Sequence, residues 1–491
     1  MERVLNQTLR VIRNTAAFIG GEFFYRLVNF LACIPIARTL GGEGYGQFSL
    51  IYVYLSFFEV FVQFGLNSIL VRELSQSTQN AARILGNALI LRSLLVLAAV
   101  PVAMIGIGFL GYPLTVEQGV MLASFQLFLT LRPVFEAVFR VRLEMIYPAL
   151  FNGMRALVNL LLVLVVAAWK PTMAFFILAY LGSGFLGMIA LAFYSRRLIA
   201  FDFRFDRVIT GNLMRQSAPL VISAYLTLLY YRIDVFMLSF MKTFQDVGYY
   251  SVAAKVSESL TMISTAVMIS LFPLIARAYQ ENRSEFERLI ALGFRWLLLA
   301  GLPLALGGIL VARDFMVLFF GREFSPSGTT FMILLWYSFF CFIGSLLSNV
   351  LIACRKQKVD MWISFFLVCF NIFLNLILIP AFSYNGAATA TVLTEVIATI
   401  VYFVYAFHST DIAMKFPSYE IGTALKINLC FFLPLWLLQV ALPIPSIGIV
   451  LVGIFFYTGL LFIFRLVSWE IVKRYFSSWK TESQIGVVHG H

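Results

Sequence analysis

The chain has 491 residues, of which 61% are hydrophobic and only 12% charged. A soluble globular chain carries about twice that charged fraction, so the soluble classes are excluded at the outset. Lys and Arg outnumber Asp and Glu by 36 to 24, a net charge of +12, and in so apolar a chain that excess points to cytoplasmic loops and anionic lipid rather than to nucleic acid.

Arg3, Arg10 and Arg13 precede an apolar run that continues to about Ile36 and contains Glu22 and Arg26. The run is longer than the apolar core of a signal peptide and reads as a retained first helix. Crossing the hydrocarbon core takes about 20 apolar residues. Such runs predict fourteen spans, at 15–37, 46–70, 84–110, 117–138, 147–169, 173–195, 217–241, 246–275, 289–312, 328–352, 359–381, 386–408, 425–443 and 446–468. The short alternating segments of a membrane barrel are missing. With a cytoplasmic N-terminus, the cytoplasmic segments hold 22 Lys and Arg and the outer loops hold 5, namely Arg38, Lys170, Lys242, Arg313 and Arg322. That asymmetry predicts two cytoplasmic termini and an even number of helices in a multi-pass protein of the cytoplasmic membrane.

The expected organisation is an N-terminal lobe at 1–195, a cytoplasmic linker at 196–216, a C-terminal lobe at 217–408, and a final segment, 409–491, of two helices and a cytoplasmic tail. The lobes resemble each other. Gly46-Gln47-Phe48-Ser49 matches Gly248-Tyr249-Tyr250-Ser251, Arg26 matches Arg232, and Glu59 matches Glu258 at similar offsets. These matches predict two six-helix lobes related by a twofold axis along the membrane normal, with two helices left over.

Motifs of catalysis are missing. There is no GxxxxGK[ST] and no HExxH, and two of the three histidines, His489 and His491, lie in the tail, so neither metal nor cofactor is expected. The five cysteines include no CxxC and read as buried, inert thiols. The longest outer loop, near 313–327, is too short for a membrane polymerase or ligase.

Seven charges fall near mid-membrane depth: Arg26, Glu59, Arg232, Asp234, Lys255, Glu258 and Glu395. Each costs about 3 kcal/mol or more unless it pairs or lines a polar route. Arg92, Arg155 and Arg295 lie near helix ends and can snorkel to the interface. Arg132 with Glu136, and Glu22 with Arg26, are spaced i, i+4 and can pair on one helix face. Two readings of the deep charges stay open: pairs that hold the fold together, or the lining of a central cavity. In the second, Arg26, Arg232 and Lys255 bind an anionic head group through charge-assisted bonds. Tyr230 and Tyr249 then face its sugars, and Glu22, Glu59, Asp234, Glu258 and Glu395 balance charge or couple an ion.

ARTLGGEGYGQFSL at 37–50, FGLNSILVREL at 64–74, YRIDVFMLSFMKTFQDVGYYSVAAKVSE at 231–258 and NLILIPAFSYNGAATATVLTE at 375–395 resemble segments of Wzx-type polysaccharide-export flippases, members of the MOP exporter superfamily. The resemblance implies two six-helix lobes around a cavity, alternating access, and a polyprenyl-diphosphate-linked oligosaccharide as cargo. It implies membrane lipid, and a polymerase or glycosyltransferases, as partners. Fourteen helices exceed the twelve common in Wzx proteins and match the lipid II flippases of the same superfamily. The competing expectations are a lipid II-type flippase, a MATE-like exporter of drugs or organic cations, and a structural membrane protein.

Overall fold

The computed structural model describes residues 2–76, 80–408, 417–442, 445–464 and 466, apart from the side chains of 2–19 and 408. The side chains of Arg3, Arg10 and Arg13 and the tail expected to be cytoplasmic, with His489 and His491, lie outside the described residues. The described residues form helices with short connections and hold twelve stretches long and apolar enough to cross a membrane. Only helices satisfy every backbone group within lipid without a closed sheet, which is why so apolar a chain takes this form.

Two of the twelve stretches double back. In α1 (Glu2–Gln63) the helix breaks at Gly41, whose φ of 69° suits glycine. Cys33 Sγ then lies 2.9 Å from Tyr45 Oη, whereas twelve residues of straight helix span ~18 Å. In α13 (Gln357–His408) the break is at Ser383, with φ of 50°. A Cβ built on Gly386 would sit 2.1 Å from the carbonyl oxygen of Leu378, eight residues earlier. Each reversal makes two limbs of one apolar stretch, and the stretches follow one another in the order expected from the sequence.

The first half continues through α2 (Leu66–Gln76), α3 (Ala81–Gly108), α4 (Leu114–Ala123), a 3-10 segment at Ser124–Leu131, α5 (Arg132–Val141), α6 (Ile146–Trp169) and α7 (Met173–Arg196). The second comprises α8 (Arg207–Met241), α9 (Phe244–Leu260), α10 (Met262–Glu281), α11 (Arg283–Phe320), α12 (Ser327–Ala353) and α13. The second limb of each half is interrupted: Phe64 and Gly65, both with positive φ, separate α1 from α2, and Thr261 separates α9 from α10. The last helices, α14 (Ser418–Ala441) and α15 (Ser446–Ile463), pack on α11, against the second half.

The connection between the halves is shorter than expected. Helix α8 starts at Arg207, inside the 196–216 linker, because Asp206 caps it: its carboxylate accepts from the backbone N–H groups of Val208 and Ile209 at 2.9 and 3.2 Å. The remaining strap is fixed to α3. Asn87 accepts from Asp206 N at 2.7 Å and donates to Arg204 O at 3.0 Å.

The bundle has two ends. Call the one carrying 197–206 the linker end, and the one carrying the Gly41 and Ser383 reversals the glycine end. At the glycine end the halves meet backbone to backbone. A Cβ on Gly46 would lie 1.8 Å from Phe244 O, and one on Gly248 would lie 1.9 Å from Gly42 O. Glu323 Oε1 accepts from Gly42 N at 2.6 Å across the same seam. Towards the linker end α8 packs on α2 and α3, with Leu213 and Ile209 in the core around Leu66 and Leu85 and Arg72 donating to Gln216, while among the described residues α1 and α10 make no sustained contact.

Arg92 does not snorkel, contrary to the expectation from its place in the sequence. It is 0% exposed and donates to Thr130 O at 2.8 Å, Gln63 O at 3.1 Å and Asn67 Oδ1 at 2.9 Å. Gln63 ends α1 at the Phe64–Gly65 break, and Thr130 lies near the end of the 3-10 segment. Carbonyls at such ends lack intrahelical donors. A guanidinium supplies several donors in a fixed fork, so one side chain closes both helix ends.

Two outcomes follow. Gly248→Ala should lower the melting temperature of the purified protein, since overpacking costs ~1–3 kcal/mol or more. Gly211→Ala, where nothing lies within 4 Å, should leave it unchanged. Arg92→Met should destabilise more than Arg288→Met, because it orphans buried carbonyls at ~1–3 kcal/mol each, whereas Arg288 lies largely in solvent beside Glu285. Equal melting temperatures for the Arg92 and Arg288 variants would contradict the bracing role.

Candidate functional site

A cavity of about 370 Å³ lies between the halves, within the usual size of ligand sites. The first half contributes both limbs of α1, the 3-10 segment, α6 and α7. The second contributes α8, α9, α12 and α13. None of its lining residues comes from α14 or α15.

The second half carries most of the charge. Arg232 Nη1 pairs with Glu258 Oε1 at 3.0 Å, with the side chains 35% and 26% exposed. The pair joins α8 to α9. Lys255 lies one turn from Glu258 on the cavity face of α9, and its ammonium has no ion pair or hydrogen bond among the described residues. Glu59, from the first half, also lines the cavity without such a partner. Arg232 and Lys255 are thus brought together as expected, with Lys255 the freer cation.

Asp234 also lines the cavity but is fully engaged. Its Oδ2 accepts from Tyr250 Oη and Thr391 Oγ1, each at 2.7 Å, and its Oδ1 accepts from Asn375 Nδ2 at 2.5 Å. Asn375 donates in turn to Asn371 at 2.9 Å. This buried network ties α8, α9 and α13 together, and its donors offset the cost of burying a carboxylate. The signal for it lay in the sequence, as Asn371 and Asn375 stand i, i+4 in an otherwise apolar run.

Other expected site residues lie elsewhere. Tyr230 lines the cavity and donates to the buried Glu395 of α13, which is itself not in the lining. Tyr249 sits at the glycine end, accepting from Gln245 at 2.7 Å and packing on Phe324 and Tyr384. Arg26 is exposed and paired with Glu22 at 2.9 Å. It stands three residues before the lining residue Asn29, which helical spacing places on the same face, one turn towards the linker end. The structure therefore puts two cations, not three, in the cavity. Arg155 lies over the ring of Tyr25 at 4.9 Å and donates to its hydroxyl, so it is bound to α1 rather than free at an interface. Arg132 pairs with Glu136 at 3.1 Å, as their spacing predicts.

The sequence reading missed the opposite wall. There the first half presents neutral polar groups, among them Asn29, Gln126, Asn159, Tyr52 and Tyr180. Amides at 29, 126 and 159 inside apolar spans were the available signal.

Comparison with known proteins agrees with this architecture. The chain is 22% identical over 463 residues to the probable low-salt glycan biosynthesis flippase Agl15 of Haloferax volcanii, covering 90% of this chain and 93% of the relative. Its fold is similar to that of the lipid II flippase MurJ, with a TM-score of 0.77 and 15% identity over 91% of this chain and 98% of that one. It is also similar to an inward-facing multidrug resistance MATE transporter of the MOP superfamily, with a TM-score of 0.63 and 15% identity over 82% of this chain and 96% of the other. A MatE profile matches residues 219–377. The polysaccharide biosynthesis protein profile matches residues 11–279, more than half of the chain. This multi-pass membrane protein belongs to the polysaccharide biosynthesis protein family.

Proposed function

We propose that the chain flips a polyprenyl-diphosphate-linked oligosaccharide across the cytoplasmic membrane by alternating access, supplying cell-surface polysaccharide synthesis. The observation that carries this reading is Lys255, whose ammonium has no partner among the described residues beside the Arg232–Glu258 pair, in a cavity between two halves that meet backbone to backbone at the glycine end. A charged head group needs such a polar route, whereas its apolar tail is at home in lipid. The gap between α1 and α10 gives the tail a place to remain outside. The names of the relatives, a glycan flippase and a lipid II flippase, support the same cargo class.

On this reading the linker end is cytoplasmic, as the Lys and Arg distribution expects, and the described state faces inward. Arg26 with Glu22 then stands at the mouth, where an incoming diphosphate meets it first. Arg232 and Lys255 hold the diphosphate deeper in. Glu59 and Glu258 keep the empty cavity near neutral, and Asp234 with Glu395 holds helices of the second half together. The chain works as a transporter, with no covalent step assigned to it.

A cation exporter of the MATE kind is the second reading. The lining carboxylates Glu59, Asp234 and Glu258 outnumber the two cations, so charge count alone does not separate the readings. Nor does pairing: Asp234 and Glu258 are occupied by donors of the protein itself, which leaves the carboxylate of Glu59 and the ammonium of Lys255 without a partner among the described residues, and the cargo that the relatives' names give favours the first reading.

Three outcomes are expected. Lys255→Gln should reduce glycan export at least tenfold while the protein accumulates normally, and Lys255→Arg should retain most of it. Export that persists at wild-type level in Lys255→Gln would remove the diphosphate role. Arg26→Ala should slow export less than Lys255→Gln does, because it acts at entry. A cysteine at Lys170 should react with an impermeant maleimide on intact cells, whereas one at the exposed Arg204 should react only after permeabilisation. The reverse pattern would invert the topology.

A further inference from the structure

The two walls of the cavity differ in kind. All its lining charges except Glu59 come from α8 and α9, whereas the first half offers amides and hydroxyls. The side chains of two of these neutral residues make no hydrogen bond among the described residues. Gln126 is 3% exposed and lines the cavity. Tyr52 also lines it, and its hydroxyl is buried without a partner. Buried polar groups are normally satisfied, and one left open in a cavity is poised for a ligand.

The surroundings of both fit a sugar. Gln126 lies in the eight-residue 3-10 segment between α4 and α5, and 3-10 runs beyond three or four residues are uncommon and often mark a functional hinge or a strained stretch. Its amide carries both donors and an acceptor, the complement of a sugar hydroxyl or N-acetyl group. Tyr52 stands edge-on to Tyr180, with ring centroids 5.3 Å apart, and 4.8 Å from Phe48. Together these rings make an aromatic surface with a polar tip. At about 370 Å³ the cavity lies at the small end of the ~300–1,000 Å³ of ligand sites, so it reads only the part of a cargo nearest the diphosphate.

We propose that Gln126 and Tyr52 recognise the first sugar of the cargo, the one bonded to the diphosphate, and that selection among glycans is made by the first half while the second half binds diphosphate without regard to the sugar. This rests on the flippase reading above. A site built to hydrogen-bond a hydroxyl discriminates strongly against a cargo that lacks it, because its own buried groups are then left unpaired.

The test is binding to the purified full chain in nanodiscs. The probes are a short-chain prenyl diphosphate, bare or carrying one glucose, galactose, N-acetylglucosamine or N-acetylgalactosamine. The wild type should bind at least one sugar-bearing probe about tenfold or more tighter than the bare lipid. Gln126→Met and Tyr52→Phe, both close in volume to the originals, should each bring that probe towards the bare lipid's affinity and leave the bare lipid's binding intact. Intact bare-lipid binding also certifies folding. Lys255→Gln should weaken every probe alike. Sugar preference that survives in the Gln126→Met, Tyr52→Phe double variant overturns the inference while the flippase reading stands. So does a wild type that binds bare and sugar-bearing probes equally. Loss of bare and sugar-bearing binding in the neutral-wall variants also counts against it. A wild type that binds no probe overturns both.

Discussion

Every polar group buried in lipid has to find its partner inside the protein, and the rest of this structure follows from how that is arranged. The backbone meets the requirement by being helical almost throughout. Where helices break, side chains take over: Arg92 closes the end of α1 and the 3-10 segment with three bonds to neighbouring oxygens. Deep charges obey the same rule by a gradient. Asp234 takes three donors, Arg232 and Glu258 have each other, and the charged groups of Lys255 and Glu59 have no partner among the described residues. The groups left over are the ones that face the cavity, so the arrangement that stabilises the fold also leaves specific chemistry free for a cargo.

The same economy governs how the halves meet. Glycines at 42, 46 and 248 let two helices touch backbone to backbone at one end, which leaves no space there for a side chain, still less for a head group. No comparable contact joins α1 to α10 at the other end. Rocking of one half against the other needs a seam that can part without tearing a hydrophobic core. A glycine contact with one carboxylate bond from Glu323 to Gly42 is such a seam. The interruptions at Gly65 and Thr261 fall within the second limb of each half, between the glycine end and the linker end. Helices α14 and α15 pack on α11, and none of the cavity-lining residues comes from them.

Much of the architecture was legible in the sequence because apolar length and Lys and Arg distribution are strong one-dimensional signals. The fourteen runs, and the pairs Arg132–Glu136 and Glu22–Arg26, came from spacing along single helices. What spacing along one helix cannot give is the angle at which that helix faces its neighbours. Arg26 is at mid-span depth but turns out to be exposed and outside the cavity lining, and Tyr249 belongs to the glycine seam. Arg92 looked able to reach an interface, yet Gln63, Asn67 and Thr130 hold it inside the first half. The neutral wall was overlooked because Asn, Gln and Tyr carry no net charge, and in an apolar helix they attract less notice than an arginine. Their place opposite Lys255 exists only in three dimensions.

The central claim is that this chain moves a lipid-linked glycan from one leaflet to the other. It is tested most directly by reconstituting the purified protein in vesicles loaded with a fluorescent prenyl-diphosphate glycan, then measuring how much of the glycan becomes accessible to an impermeant lectin added outside. The account predicts that inner-leaflet glycan reaches the outside with the protein present and stays protected in protein-free vesicles. Protection equal to that of protein-free vesicles, from a protein shown by its melting temperature to be folded, would contradict it.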